Sequence, residues 1–158
     1  MAVIPRVGLG FDVHPFSDDP DRRLVLGGIE LEGRGLVGHS DADALAHAVA
    51  DALLGAAGLG DIGTLFPNSD PTLAGVDSIE LLAQVVALVT EAHEVGNVDA
   101  TVIAEVPRLA PHLEAMSRRL SEVVGAPVSV KPKRAESLGA LGRREGIACL
   151  AVAIVVAR

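Results

Sequence analysis

The run GIACLAVAIVVA at residues 146–157 carries no charge and is built from alanine and branched aliphatic residues. It is too short to cross a bilayer as a helix, so it reads as a strand buried in a core. That core must be assembled from small aliphatic side chains. Phe11, Phe16 and Phe66 are the only aromatic residues among 158, while 49% of the chain is hydrophobic. Such a chain suits one domain, residues 1–158, with a sizeable interior.

The remaining segments alternate between strand and helix patterns. RVGLGFDV and RRLVLGGIEL read as two strands separated by the turn-rich HPFSDDPD, a hairpin or loop. The alanine-rich HSDADALAHAVADALLGAAG predicts a helix from about Ser40 to Ala57, stopped by Gly58. DSIELLAQVVALVTEAHEVG predicts another, with an Asp or Ser cap, Glu80 in its first turn and Gly96 at its end. NVDATVIAEV reads as a strand, APHLEAMSRRLSEVVG as an amphipathic helix ending at Gly125, and APVSVKPK as a further strand. Residues 136–143 form a turn or short helix before the final strand. These elements predict an α/β (α+β) two-layer domain, with helices covering one face of the sheet. The other face of so small a sheet needs a partner, so self-association is expected.

A net charge of −8 opposes a phosphate backbone, and the scarcity of aromatics removes stacking platforms, which argues against nucleic-acid binding. The basic residues are nonetheless uneven. Lys131, Lys133, Arg134, Arg143 and Arg144, five of the 13, fall within 14 positions and make either a local anion site or a solvated basic face. Cys149 is the only cysteine, which excludes an internal disulfide and fits a reducing cytoplasm. Its apolar neighbours mark it as a core thiol rather than a nucleophile. No basic region followed by an apolar core opens the chain, so neither a secretory signal nor a membrane association is expected.

The chemistry begins at GFDVH, residues 10–14. In an extended strand, positions i and i+2 point to the same side, so Asp12 and His14 present a carboxylate and an imidazole together. His39, Asp43, His47 and Asp51 follow at steps of four, and those inside the helix share one face. One of these histidines could complete a three-ligand site that leaves a fourth position open, as catalytic zinc requires. Nitrogen and oxygen donors without thiolate favour zinc, with manganese or iron as alternatives. Plainer readings compete: Ser40 and Asp41 as helix caps, Asp51 as a solvated charge, and GLGDIG as a helix stop and turn. Alternatively the glycines of GLGDIG admit a ligand to the backbone while Asp61 accepts hydrogen bonds from hydroxyls such as those of a ribose.

The blocks GLGFDVHPF, GHSDADALAHAVADALLGAAGLGDIGTLFP, DPTLAGVDSIELL, GNVDATVIAEVPRLAPH and ESLGALGRREGIA occur in this order. In that order they resemble the 2-C-methyl-D-erythritol 2,4-cyclodiphosphate synthases over nearly the whole chain. These enzymes of the non-mevalonate isoprenoid pathway convert 4-diphosphocytidyl-2-C-methyl-D-erythritol 2-phosphate into the cyclic diphosphate and CMP. The resemblance implies a homotrimer whose mixed sheets pack around a central axis, with active sites between neighbouring subunits. It also implies that Asp12, His14 and His47 hold zinc, and that His39 and Ser40 face the substrate phosphates. Asp61 and Gly63 would hold the ribose, and Ala104, Pro107, Arg108, Leu109 and Ala110 would form the cytidine pocket from the adjacent subunit. Glu136 would carry magnesium or manganese on the diphosphate. Arg143 and Glu145, with Phe11 near, would close an axial cavity for an isoprenoid diphosphate, against the competing reading of an ion pair without a ligand.

One departure from the family pattern stands at KPKRAESLG. Many members carry threonines before the glutamate, whereas here Lys133 and Arg134 occupy the run and are expected to take over phosphate contacts in catalysis. Two rival functions use the same features: a zinc-dependent phosphohydrolase that delivers water, and a binding module for isoprenoid diphosphates.

Overall fold

The computed structural model describes residues 4–158. Four strands make the main sheet: β1 (Arg6–Pro15), β4 (His93–Ile103), β5 (Val128–Lys133) and β6 (Gly146–Ala157), in the order β1-β6-β4-β5. Antiparallel pairing joins β6 to β1 and to β4, while β4 and β5 run parallel, so the sheet is mixed. The helices α1 (Ala44–Ala57), α3 (Ser78–Thr90) and α4 (Leu113–Val124) pack together over one face, α1 against β1 and β6 and α4 against β5. Two short helices, α2 (Ile62–Leu65) and α5 (Gly139–Gly142), lie in the connections. A two-layer α/β domain is what the sequence predicts.

The layers meet at unusually short range above β1. Side chains alternate along the strand, so Gly8 and Gly10 face α1 while Val7, Leu9, Phe11 and Val13 face away and are exposed. A Cβ on Gly8 would lie 2.0 Å from the Ala52 carbonyl oxygen, and one on Gly10 would lie 1.8 Å from that of Ala48. Only glycine lets the alanine face of α1 settle onto the strand backbone. Asp12 and His14 continue the helix-facing register of β1, directly beyond these glycines.

The uncharged run of β6 is central in the sheet, and its face away from the helices is only partly covered. Ile147, Cys149, Ala151, Ala153 and Val155 are buried against the helices, while Val152 on the other side is 44% exposed. Together with the outward residues of β1 it forms an open apolar face.

Three boundaries differ from the sequence reading. RRLVLGGIEL is not one strand but a hairpin, β2 (Leu24–Leu26) and β3 (Ile29–Leu31), because Gly27 and Gly28 both take positive φ and close a two-residue turn. α1 starts at Ala44 rather than Ser40: Ala42 has φ of 56°, outside the helical range, and Asp43 is the residue that caps. α3 ends at Thr90, six residues before Gly96, because His93 already pairs with Ala157 in the sheet. Gly96 sits instead at a β-bulge between Val95 and Asn97.

Candidate metal centre and substrate cavity

Strand alternation puts Asp12 and His14 on the face of β1 beneath α1, and the first turn of α1 brings His47 down onto them. Asp12 Oδ2 lies 2.8 Å from His14 Nε2 and 3.0 Å from His47 Nδ1. The three potential ligand atoms all lie within 4.8 Å of one another. Bonds of about 2.0–2.2 Å in a tetrahedral zinc site set ligand atoms about 3.4 Å apart, so a small spread of these side chains admits the ion. Among the described residues no other group of three His, Cys, Asp or Glu side chains converges in this way.

The hydrogen bonding of His14 supplies an independent test of fit. Its Nδ1 lies 2.7 Å from the Val37 carbonyl oxygen, which can only accept, so the ring hydrogen sits on Nδ1. Nε2 is then a bare acceptor, and it is buried without a hydrogen-bond partner. What it faces is the Asp12 carboxylate, itself an acceptor. Two lone pairs opposed at 2.8 Å call for a cation between them, and a divalent ion on an Asp-His-His donor set satisfies that requirement. In the metal-free chain a proton does the same work. Burial opposes charge on both groups, but hydrogen bonds and Coulomb attraction win, holding Asp12 down to about 2 and raising His14.

The centre opens into a cavity of about 230 Å³, whose walls include His39, Ser40, Gly63, Phe66 and Asn68. His39 lies in the loop ahead of α1, so it does not share a helix face with His47. Its Nε2 donates to the Asp70 carbonyl at 2.8 Å, tying the segment after Phe66 to the cavity rim. Ser40 does not cap α1; its Oγ accepts from the Ala42 amide at 3.1 Å. Asp43 caps instead, accepting from Ala46 at 3.0 Å, and its buried carboxylate also takes the amides of Gly27 at 2.8 Å and Gly28 at 2.7 Å. Asp51, one turn beyond His47, is not a solvated charge. It is half-buried and accepts the Ile62 amide at 2.7 Å, anchoring the start of the GDIG turn. Asp61 caps α2 through the Thr64 amide at 2.7 Å and remains exposed.

Other expected site residues lie elsewhere on the same chain. Ala104, Pro107, Arg108, Leu109 and Ala110 line a second cavity of about 490 Å³, together with Lys133 and Arg134. It shares no lining residue with the first. Lys133 and Arg134 therefore stand with the expected cytidine segment and not beside His39 and Ser40 of their own chain. Arg134 Nη2 binds Glu105 Oε2 at 2.9 Å. Glu136 is exposed in a turn where it and Ser137 take positive φ. Arg143 and Glu145 pair within one chain at 2.6 Å.

Sequence reasoning treated Ser78 only as a helix cap. Asp77 fills that role, accepting from Ile79 at 2.8 Å, and the Ser78 hydroxyl turns inward to 2.8 Å from His47 Nε2. Phe66 and Asn68 carry no motif signal beyond their place in a proline-punctuated segment.

Residues 5–156 match the YgbB family model. The chain belongs to that family. It is 53% identical over 158 residues to the 2-C-methyl-D-erythritol 2,4-cyclodiphosphate synthase of Cupriavidus metallidurans, spanning 97% of this chain and 93% of that protein. It is 50% identical to the bifunctional enzyme IspD/IspF of Anaeromyxobacter dehalogenans, where it spans 39% of the longer chain. The fold superposes on the bifunctional IspDF of Campylobacter jejuni with a TM-score of 0.93 at 38% identity, covering 99% of this chain and 43% of that one. For the CDP complex of Plasmodium falciparum IspF the TM-score is 0.84 at 33% identity, with 98% and 97% covered. The resemblance read from the sequence is borne out. No helix of the described residues is long and apolar enough to cross a membrane.

Proposed function

We propose that this chain converts 4-diphosphocytidyl-2-C-methyl-D-erythritol 2-phosphate into 2-C-methyl-D-erythritol 2,4-cyclodiphosphate and CMP. The observation that carries the reading is the convergence of Asp12, His14 and His47 at the floor of a cavity walled by His39, Ser40 and Gly63. The family membership and the synthase name of a relative matched over 93% of its length support it.

The reaction joins two anions of one molecule. An oxygen of the 2-phosphate attacks the β-phosphorus, the bond from that phosphorus to the bridging oxygen of CMP breaks, and CMP leaves with the electron pair. The protein's task is to hold mutually repelling groups in line and offset their charge. Asp12, His14 and His47 would hold zinc or a similar divalent ion, and Glu136 a magnesium or manganese ion, which supply Lewis-acid stabilisation of phosphate charge. Ser40 offers a hydroxyl to a phosphate oxygen, while His39 keeps the segment after Phe66 against the cavity. Asp61 and Gly63 bind the ribose hydroxyls.

The reading includes a homotrimer with sites between subunits. One protomer keeps the metal cavity and the Ala104–Ala110 cavity apart, and the open apolar face of Val7, Leu9, Phe11 and Val13 supports packing of sheet against sheet. Lys133 and Arg134 of a neighbouring copy would then reach the diphosphate, and main-chain groups of the 104–110 segment would read cytosine. Arg143 and Phe11 near the axis would receive an isoprenoid diphosphate. The buried thiol of Cys149 fits a cytoplasmic setting.

Phosphorus NMR of the diphosphocytidyl substrate incubated with the zinc- and magnesium-loaded protein tests the reading. Cyclic diphosphate together with CMP is the expected outcome. A linear phosphate product would replace the cyclase with a phosphohydrolase, and unchanged substrate would remove the activity.

A further inference from the structure

Ser78 opens α3 and Asp41 lies in the loop before α1, 37 residues away in sequence. The Ser78 side chain is 1% exposed, and its hydroxyl donates to Asp41 Oδ1. Asp41 Oδ2 accepts the Ser78 amide at 3.1 Å, and Asp41 Oδ1 also accepts the Asp43 amide at 3.0 Å, so the carboxylate is fixed from two elements. The same Ser78 Oγ lies 2.8 Å from His47 Nε2. A hydroxyl has one hydrogen and a carboxylate only accepts. The Ser78 hydrogen is therefore committed to Asp41, and toward His47 the oxygen can only accept.

Ser40 Oγ is the other candidate partner, at 3.3 Å from both Ser78 Oγ and His47 Nε2. A hydrogen given by Ser40 to Nε2 would leave Ser78 Oγ facing a bare nitrogen at 2.8 Å. The shorter contact decides. His47 carries a hydrogen on Nε2, which leaves Nδ1, 3.0 Å from Asp12, as the nitrogen that can face an ion.

We propose that Asp41 and Ser78 are a positioning pair that locks His47 in the Nε2–H tautomer and so presents Nδ1 to the ion shared with Asp12 and His14. The proposal rests on the reading of that centre as a metal site. Neither residue touches the ion. They act through the ring, as carboxylate-backed partners of metal-binding histidines do, and loss of such a partner weakens metal binding about 10- to 100-fold. The pair also ties the first turn of α3 to the loop that carries His39 and Ser40, so one contact sets both the ligand and the cavity wall.

Long-range proton–nitrogen correlation NMR on the full chain with isotope-labelled histidine, freed of metal, reads the tautomer directly. The expected result is a protonated Nε2 on His47. Ser78→Ala should shift the ring toward a mixture and weaken zinc binding about 10- to 100-fold in competition with a chromophoric chelator. Ser78→Thr, which keeps the hydroxyl, should restore both. A bare Nε2 in the unsubstituted chain would overturn the proposal without recourse to any variant, and so would a folded Ser78→Ala chain with unchanged zinc affinity. If the unsubstituted chain bound no zinc, the metal reading would fall, while the tautomer would still decide what Asp41 and Ser78 do.

Discussion

Gly10 of β1 meets Ala48 of α1 backbone to backbone, so closely that a Cβ on Gly10 would lie 1.8 Å from the Ala48 carbonyl oxygen. Ala48 follows His47 directly, and Asp12 stands two residues beyond Gly10. The contact that packs the two layers therefore also sets the distance between two candidate metal ligands. Gly10→Ala must push α1 away, because the obstructing atoms belong to the backbone and cannot rotate aside. We expect a loss of about 3 kcal/mol in urea unfolding, accompanied by weaker zinc binding in whatever fraction remains folded. Unchanged stability would mean that the layers are not in contact there.

Asp43 offers a second structural test. Its carboxylate caps α1 and holds the hairpin turn through the amides of Gly27 and Gly28. Replacing a cap alone costs about 1 kcal/mol, but Asp43→Ala would also strand two further amides, one of them buried. The expected loss is about 3 kcal/mol, read from the denaturation midpoint at constant slope. A loss no larger than that of an ordinary cap would show the hairpin to be held by other contacts.

The pH response of the metal-free chain follows from Asp12 and His14. Asp12 is held down to about 2, so its contribution is present above about 4 and lost only as pH falls toward 2. His14 is raised, so its contribution is complete below its ordinary value of 6.5 and is lost as pH rises through the higher folded value. The metal-free chain should thus melt at a higher temperature near about pH 5.5 than near about pH 8. Zinc should reverse that preference, since it competes with the proton for His14 Nε2 and binds more tightly at the higher pH. Melting curves with a chelator and with zinc at both values check the two signs together.

Some of this was legible in the residues. The two-residue period of a strand placed Asp12 and His14 side by side, and the helical spacing nominated His47. Spacing alone could not choose between His39 and His47, because that choice turns on where α1 begins. Its start at Ala44 is decided by the left-handed turn at Ala42 and by the hairpin amides held on Asp43. Those amides come from residues far off in sequence. Gly96 looked like a helix stop and is a bulge, since a glycine serves either purpose and strand pairing made the choice. Ser78 looked like a cap because only the folding of α3 against α1 turns its hydroxyl toward His47.

Arg134 pairs with Glu105, and the pair is solvent-facing on the arginine side only. The Glu105 side chain is only 3% exposed and would keep the Ala135 amide but lose its cation, so Arg134→Ala should cost about 1–3 kcal/mol of unfolding free energy. If Lys133 and Arg134 meet the diphosphate from a neighbouring copy, Arg134→Ala or Lys133→Ala should raise KM about tenfold, the worth of one charge-assisted hydrogen bond. Steady-state kinetics of CMP release separates the cases. Equal KM and kcat in both variants would leave these residues as a solvated basic edge.

Anomalous X-ray scattering at the zinc edge, from crystals grown with zinc, tests the centre most directly. The expected result is one strong peak bonded to an Asp12 carboxylate oxygen, His14 Nε2 and His47 Nδ1 at about 2.0–2.2 Å. A peak bound elsewhere, or none within bonding distance of all three side chains, would contradict the proposed chemistry.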